Sequence, residues 1–592
     1  MIYDNALRPA TLLGLVLLVL ALTAAVTWLG ALLDPDTPSF EAPGLIVLGL
    51  ALGCAVLSLL VVLHIRWVRI TMSALLHLSI VALALALYGV ASEEEALGLK
   101  VFAVALFIGG GGLCVIGILV LHSRVMKADF AREGISPAKA AQRRPRTRRV
   151  VIAILAVLLL ALAYGAWRVV PLLMAKPTII VDYLAEANRL SKPADYDPNC
   201  NAAPHYEKLF AEFVPLPQEL QEQWRIWPRD LSAEHLDALA SWSSENEEVL
   251  GTLADAAGCP YWWREYTSAD GALSSIELPA LDTTRRCVWG LLLLAKYHAY
   301  EGDAQKALSL LMQVHCLGEH WTLSGTLVEQ LTGLAVCGLN YAAVRAVLDH
   351  GKPDAEVLRP ALTFFRSRLD KIAVPRFMAV EELYGYDSIQ RVFTDDGNGD
   401  GRLIPGRLYE TKKGRASLYT QPISYLDALW VSLNHPGRSE TQSLFAEYFD
   451  CVADLARQSP WQLHAATTSY EEELQEMLEG NYYLRDGFTA IAQCIRLGWR
   501  GKADAHATVT MLAVLTYEAQ KERLPQSLEE LVEEGLLDCV PMDPYSDGPL
   551  VYRVTGEGVT LYSVGEDFLD DGGEPGEWDQ FGADRVFWPI VP

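Results

Sequence analysis

Five long apolar stretches in the first 175 residues constrain this chain more than any other feature of its sequence. Each has about 20 residues, which as an α-helix extend about 30 Å and match the hydrocarbon core of a bilayer. The only fully charged side chain inside them is Arg168, near the end of the last stretch. We therefore predict five membrane spans, at residues 10–33, 44–65, 72–92, 101–122 and 150–174.

The loops between these spans alternate in charge, and the alternation predicts the topology. Residues 34–41 and 93–95 are acidic, whereas the lysines and arginines concentrate in 66–71 and in 123–149. Positive loops stay on the cytoplasmic side. We therefore expect a cytoplasmic N-terminus, a basic cytoplasmic loop at 123–149, and an extracytoplasmic chain after the fifth span. The lipid partner would be the inner (cytoplasmic) membrane of a cell.

Net charge differs sharply between the two parts of the chain. Of the total of −25, the first 175 residues contribute +5, so the remaining 417 residues carry −30. A surface this acidic repels nucleic acid. Nucleic acid is therefore excluded as a partner, whereas cations and basic proteins are compatible with the charge.

The predicted spans lack the ionisable groups that transporters and proton relays place inside the bilayer. They contain no Asp, Glu or Lys, and His77, a polar side chain in the third span, more often bonds a neighbouring helix than lines a pathway. The glycine run at 109–112 allows a neighbouring helix to approach closely. These features favour an anchoring bundle over a transporter.

Residues 176–484 carry the apolar periodicity of α-helices. Between two apolar segments, Gly302 ends one predicted helix and Asp303 caps the next, and this arrangement resembles a tetratricopeptide-type helix hairpin. We expect a mainly helical extracytoplasmic domain, either an array of hairpins or an ordinary bundle, whose surface binds a protein partner. The predicted helices include 236–253, 283–298, 323–348 and 355–371.

Eight cysteines lie in the predicted extracytoplasmic part, a compartment that permits disulfides. No CxxC spacing occurs, and several cysteines fall in apolar helical segments, where a free thiol acts as a small hydrophobic side chain. Disulfides and buried thiols therefore both remain open. The best zinc-like cluster is His315, Cys316, Glu319 and His320, but a pair on one helix face without a third ligand is usually coincidence.

The clearest local chemistry is the segment Asp396-Gly397-Asn398-Gly399-Asp400-Gly401. This segment resembles an EF-hand-type calcium loop. It has oxygen ligands at positions one, three and five, glycine at position six and the apolar residue Leu403 at position eight. Position twelve departs from that pattern because it is Arg407, and the missing ligand would come from Glu410 or Asp395. The alternative is a solvated turn. The candidate calcium ligands are Asp396, Asn398, Asp400 and Arg402.

The sequence pattern of the C-terminal part, residues 485–592, predicts a long helix followed by a small antiparallel sheet. Ser527 opens a short helix through a capping box, and Gly535 ends it. The segments 550–554 and 559–564 then alternate as the two strands of a hairpin.

This order of elements resembles the C-terminal half of the major pseudopilin of type II secretion. The matching residues are Tyr517, Leu524-Pro525, 528–531, Pro541, Asp543-Pro544-Tyr545, Tyr552 and 562–567. The resemblance implies a long helix packed on the sheet and a calcium-binding final loop, with Asp567, Asp570 and Asp571 as candidate ligands and Asp579 and Asp584 nearby. A secretion role is not implied, because the family's processed N-terminal methylation segment is missing and five spans precede the module.

The predicted fold class is thus an α-helical membrane bundle of about five spans (1–175), a mainly α outer domain (176–484) and a small α+β pseudopilin-like module (485–592). This layout resembles uncharacterised multi-span bacterial membrane proteins. Neither GxSxG nor HExxH occurs, so no catalytic motif is evident. We predict a membrane-anchored extracytoplasmic scaffold with calcium-stabilised loops; an extracytoplasmic hydrolase and, less favoured, a transporter are the alternatives.

Overall fold

A computed structural model of the chain describes residue 169 and residues 171–278, 280–371, 378–415, 423–466, 470–485, 491–556 and 558–590. The first four predicted spans, the basic loop 123–149 and most of the fifth span lie outside the described residues. Within the described part the chain is mainly helical with one small three-stranded sheet, which confirms the coarse fold class.

The described chain contains 18 α-helices and three strands. In chain order the helices are α1 (Tyr183–Ser191), α2 (Ala203–Glu212), α3 (Gln218–Gln221), α4 (Ala233–Glu245), α5 (Glu247–Ala257), α6 (Ala280–Tyr300), α7 (Ala304–Thr322), α8 (Leu327–Gly351), α9 (Ala355–Arg366), α10 (Met378–Val392), α11 (Pro405–Arg415), α12 (Tyr425–Asn434), α13 (Arg438–Ala456), α14 (Pro460–Ala465), α15 (Tyr470–Leu478), α16 (Tyr482–Arg485), α17 (Ile491–Lys521) and α18 (Leu528–Glu533). The strands are β1 (Val551–Thr555), β2 (Gly558–Ser563) and β3 (Arg585–Trp588).

The chain divides into two compact units. The smaller unit joins residues up to Lys176 with Leu403–Asn434, and the larger unit joins Pro177–Arg402 with His435–Pro592. In the smaller unit, Leu172 at the end of the predicted fifth span packs against Leu429 of α12.

The predicted helix hairpin is confirmed at α6 and α7. Gly302 has a φ of +87°, a conformation in which glycine avoids the strain of a side chain. The Asp303 carboxylate accepts a hydrogen bond from the Lys306 N–H at 2.8 Å and so caps α7. The small residue Ala307 is fully buried, which allows the helices to pack closely.

The helix predicted at 236–253 is wrong as a single element, because it breaks at Asn246 into α4 and α5. The buried Asn246 side chain accepts from the Val214 N–H at 3.0 Å and donates to the Trp242 carbonyl at 3.0 Å. A side chain that serves distant backbone in this way favours a helix end over a helix interior.

One hydrophobic core joins the helical part to the C-terminal part. Helices α6, α7 and α8 pack on one another, and the long helix α17 packs on both α8 and α9. One buried cluster contains residues between Ala202 and Phe365 and residues between Ala503 and Phe587. The predicted boundary between residues 484 and 485 therefore falls inside the larger unit, and the C-terminal helix forms part of the central layer.

The C-terminal sheet is antiparallel with the order β1-β2-β3. Val551 pairs with Tyr562, and Tyr562 pairs with Val586 across an irregularity next to Leu561. The two predicted hairpin strands are confirmed to within a residue or two, whereas β3 was not predicted. Helix α17 packs against β2 and β3, which is the arrangement that the pseudopilin resemblance implies.

The capping box predicted at Ser527 is wrong, because the Ser527 side chain bonds to no N–H at the start of α18. The Glu530 carboxylate instead accepts from the Tyr517 hydroxyl at 2.6 Å and from the Gln526 N–H at 3.1 Å. Glu530 therefore ties α18 to the end of α17.

The segment that follows the predicted fifth span is fastened to α10. The Gln390 side chain accepts from the N–H groups of Ile180 and Val181 at 3.2 and 3.3 Å, and it donates to the Val181 carbonyl at 2.9 Å. Gln390 is fully buried. Three bonds from one buried amide fix the segment at residues 180–181 to α10.

Among the described residues, one helix is long and apolar enough to cross a bilayer, namely α8. More than half of its most apolar window is buried against neighbouring helices. Its apolar character is therefore accounted for by its central place in the core, and it is no evidence for a membrane span.

Candidate metal sites in two acidic loops

The first acidic loop comprises residues 395–402 and follows α10. The Thr394 N–H donates to the Arg402 carbonyl at 2.9 Å, and the Arg402 N–H donates back to the Thr394 hydroxyl at 2.8 Å. Inside this closure the Asp396 N–H donates to the Asp400 carbonyl at 2.7 Å. The candidate ligands therefore lie on a short, internally bonded loop.

The carboxylates of this loop already accept backbone hydrogen bonds. Asp396 accepts from the N–H groups of Asn398 at 2.8 Å and Asp400 at 3.3 Å. Asp400 accepts from the Ser439 N–H at 3.0 Å, in the first turn of α13. These N–H groups of Ser439 and Gly401 lower the pKa of Asp400.

Asp395 and Arg438 form a buried ion pair beside this loop, with 2.9 Å between their charged atoms. The Arg438 N–H also donates to the Gly401 carbonyl at 3.0 Å. Because Asp395 already neutralises a buried arginine, it is a poor substitute for the missing twelfth ligand. The other substitute, Glu410, pairs with Arg407 itself at 2.9 Å.

Position 401, the sixth of the loop, must be glycine because a side chain does not fit there. A Cβ atom placed there would meet the Thr394 carbonyl group well inside contact distance. The prediction that this position demands glycine agrees with the structure, but the reason is a close backbone approach.

The second acidic loop comprises residues 564–584 and connects β2 to β3. Asp567 joins its two sides by accepting from the Leu569 N–H at 3.1 Å and from the Gly582 N–H at 2.9 Å. Asp570 accepts from the Tyr562 hydroxyl at 2.7 Å and pairs with Arg553 at 3.0 Å. Burial opposes ionisation of Asp570, but the Tyr562 hydrogen bond and Arg553 outweigh it and lower its pKa.

Asp584 is the buried carboxylate of this loop. It accepts from the Gly573 N–H at 2.6 Å and from the Asp571 N–H at 3.3 Å. Burial raises the pKa of Asp584, and the neighbouring negative charges of Asp570 and Asp571 raise it further. A divalent cation near Asp584 would relieve this repulsion.

Asp543 of the Asp-Pro-Tyr motif has a structural role, because its carboxylate bonds to the end of β2. Its buried carboxylate accepts from the Ser563 hydroxyl at 2.8 Å and from the Val564 N–H at 3.0 Å. Burial raises the pKa of Asp543. The motif thus fastens the turn after α18 to the end of β2, where the second acidic loop begins.

In the described part of the chain, no three His, Cys, Asp or Glu side chains come together as a metal-binding group. A calcium ion in either loop would need amide, carbonyl or water oxygens besides carboxylates, as calcium sites commonly use. In the first loop the Asn398 amide and the Arg402 carbonyl would supply them.

The zinc-like cluster on α7 does not assemble, because its members have separate partners. His320 is hydrogen-bonded to the Tyr206 hydroxyl at 2.8 Å and to the Cys259 carbonyl at 3.0 Å. Glu319 pairs with Arg368 and Lys371. Burial lowers the pKa of both His315 and His320 to about 4, so both rings are neutral at physiological pH.

A cavity of about 770 Å³ lies between α9 and the turn after α18, and sequence reasoning missed it. The Arg366 guanidinium donates to the carbonyls of Gly535 and Leu536 at 2.7 and 3.1 Å. The Arg368 guanidinium lies 3.7 Å from the centre of the Phe364 ring. Arg359 on α9 also lines the cavity. We call this cavity the basic cleft, because three arginines and one glutamate line it in a part of the chain that is strongly acidic. Two of the arginines are paired, Arg368 with Glu319 at 2.9 Å and Arg366 with Asp538 at 3.8 Å.

All eight cysteines of the described residues are free thiols in the structure. Three are buried in the core on α6, α7 and α8, namely Cys287, Cys316 and Cys337. These three fit the expectation of small hydrophobic side chains.

Comparison of the chain with protein-family models, with curated proteins and with solved structures finds no match in any of the three.

Proposed function

We propose that this chain is a multi-span membrane protein that holds an acidic helical platform outside the cytoplasm, where the platform binds a protein partner and calcium stiffens its loops. The observation that carries the proposal is the continuous core that unites α6 to α9 with α17 and the C-terminal sheet. A platform built in this way keeps its surface in a fixed shape, which reduces the entropic cost of binding a partner.

The five-span membrane bundle and its orientation are part of this proposal. Their support is the length of the apolar runs and the alternation of loop charge. The hydrogen bonds of Gln390 to Ile180 and Val181 give further support. A domain that follows a membrane span needs a firm attachment for the segment that connects it to that span.

The basic cleft favours a binding role over hydrolysis. Its described lining contains one carboxylate, Glu356, and no histidine or cysteine. A hydrolase needs a nucleophile or activated water next to a general base. Arginine side chains beside an aromatic ring instead suit recognition of an anionic group on a partner. Because Arg368 and Arg366 already pair with Glu319 and Asp538, such a group would bind at Arg359 or displace one of these carboxylates.

The topology is tested by reporter fusions. Alkaline phosphatase fused after Pro592 should be active, because this enzyme folds only outside the cytoplasm. The same reporter inserted after Ala140, in the basic loop, should be inactive and serves as the matched control. Activity at Ala140 and inactivity at Pro592 would contradict the proposed orientation.

Calcium binding is tested by thermal unfolding of the purified chain in calcium and in chelator. Calcium at 100 times its dissociation constant stabilises a folded protein by about 2.7 kcal/mol, so we expect Tm to rise by about 3–6 °C. The variants Asp396→Asn and Asp567→Asn keep an acceptor oxygen but lose the charge. Loss of the calcium shift in one of them assigns the ion to that loop.

The control for the calcium experiment is Asp454→Asn, which removes an exposed carboxylate on α13 far in sequence from both loops. This variant should keep the full calcium shift. An unchanged Tm of the wild-type chain up to about 10 mM calcium, above the range of extracellular calcium modules, would remove calcium from the proposal.

A further inference from the structure

Two cysteine-bearing segments of the larger unit run side by side. Asn201 and Tyr261 form an isolated parallel bridge, and the Ala202 N–H donates to the Tyr261 carbonyl at 2.9 Å. Cys200 directly precedes Asn201, and Cys259 lies two residues before Tyr261. Cys200 ends a short 3-10 helix (Pro198–Cys200), and Cys259 lies two residues after the end of α5. The two cysteines therefore flank one bridged pair, at one and two residues from it.

Several hydrogen bonds fix this pairing. The Asn201 side chain donates to the Trp263 carbonyl at 2.7 Å and accepts from the Trp263 N–H at 2.9 Å. On the other side of the bridge, the Tyr261 hydroxyl donates to the Asp197 carbonyl at 2.9 Å. The Cys259 carbonyl is held by His320. The backbone on both sides of the cysteines is thus restrained.

The bridge brings the two cysteines into one neighbourhood. Bridged segments lie about 4.8 Å apart, and disulfides join Cα atoms about 4.4–6.8 Å apart. In the structure each thiol has another partner: Cys200 donates to the Asp197 carboxylate and Cys259 to the Asp255 carbonyl, both at 3.7 Å. Forming the disulfide therefore requires both thiols to leave these partners by rotation about χ1, with a small adjustment of the backbone.

The two thiols are also the accessible ones in this region. Cys200 is exposed and Cys259 is partly exposed, whereas Cys287, Cys316 and Cys337 are buried. Burial raises the pKa of Cys259, and the nearby Cys200 sulfur raises it further, as expected for two thiols within electrostatic reach.

We propose that Cys200 and Cys259 form a disulfide that locks the start of α2 to the end of α5. The occurrence of this bond in the cell rests on the proposed extracytoplasmic location, because that compartment is oxidising. The pairing itself rests on the backbone geometry alone.

The oxidant would be the disulfide of a dithiol–disulfide oxidoreductase, or oxidised glutathione in vitro. The more exposed Cys200 attacks one sulfur of that disulfide as a thiolate, forming a mixed disulfide and releasing one oxidant thiol. The Cys259 thiolate then attacks the Cys200 sulfur and releases the second. Two electrons pass from the protein to the oxidant, and the two protons lost by the protein thiols balance those gained by the oxidant.

The test uses the purified full chain in detergent, treated with oxidised glutathione or with dithiothreitol and then alkylated. We expect a peptide pair linked through Cys200 and Cys259 by mass spectrometry, and loss of both free thiols together. Reduction should lower Tm by on the order of 5 °C. Cys200→Ser should leave Cys259 alkylated and abolish this redox-dependent change in Tm.

The matched control is Cys539→Ser, which removes another exposed thiol and should preserve the linked peptide pair. The Tm of reduced Cys200→Ser should equal that of the reduced wild type, which shows that the variant folds. Separate glutathione adducts on Cys200 and Cys259, or two free thiols after oxidation, would overturn the pairing. A chain that pairs these cysteines in vitro but keeps them reduced in cells would count against the proposed location and leave the geometry standing.

Discussion

Replacing Arg345 with methionine is expected to lower the free energy of unfolding by about 3–5 kcal/mol. Arg345 lies on α8 and is buried, and its guanidinium pairs with Asp504 of α17 at 2.8 Å. It also donates to the Thr508 hydroxyl at 2.7 Å and lies 5.3 Å from the Phe587 ring of β3. Methionine fills similar space but leaves the Asp504 carboxylate without its partner in a region of low dielectric constant.

Denaturant unfolding of the purified chain measures this loss, and two further variants interpret it. Arg345→Met combined with Asp504→Leu removes both charges and should recover most of the stability, because the cost arises from the orphaned carboxylate. Arg285→Met breaks the exposed pair with Asp282 and should cost less than about 1 kcal/mol. Equal losses for Arg345→Met and Arg285→Met would show that the central pair does not hold α8 to α17.

Local signals in the sequence predicted the elements that depend on neighbouring residues. Gly302 and Asp303 predicted the α6–α7 turn because both act on backbone within a few positions. The Thr326 capping box was available in the same way, since Glu329 follows three residues later and both of its reciprocal bonds form. Apolar periodicity alone places the start of this helix at residue 323, four residues before α8 begins.

Long-range partners explain what the sequence did not reveal. Asn246 breaks a helix through bonds to Val214, 32 residues earlier, while the apolar periodicity continues across the break. Strand β3 has four residues and is recognised by its pairing with β2, on the far side of the second acidic loop. The position of Cys200 beside Cys259 likewise depends on a bridge between segments about 60 residues apart, which no local pattern encodes.

The candidate sites show the same difference between local signals and long-range partners. The spacing of Asp396, Asn398 and Asp400 indicated a short oxygen-rich loop, and the structure places them on one. Their actual partners could not be inferred, because Arg438 and Ser439 are supplied by a helix about 40 residues later. The arginines of the basic cleft were visible at 359, 366 and 368, but the cavity exists only because the turn at Gly535 and Leu536 packs beside α9.

Replacing Gly333 with alanine is the other substitution with a large expected effect, a loss of about 2 kcal/mol. Gly333 lies on α8 where it crosses α7, and an added Cβ would lie 2.6 Å from the Gly318 carbonyl oxygen and nearer still to the Thr322 N–H nitrogen. Both atoms belong to the backbone, so the helices must separate. A clash with backbone costs about 3 kcal/mol, the upper end of the usual range for overpacking, and the gain in helix propensity of about 1 kcal/mol leaves a net loss of about 2 kcal/mol.

Gly338→Ala on the same helix is the matched control, because a Cβ at that position meets no atom within 4 Å. With no clash to offset the propensity gain, this variant should be stabilised by about 0.5–1 kcal/mol. The two substitutions are chemically identical and lie about one and a half turns apart, so their opposite signs in denaturant unfolding would isolate the close contact between α7 and α8. Stabilisation by both substitutions would mean that α7 and α8 do not approach closely enough to require glycine, and the central layer of the platform would need a different packing.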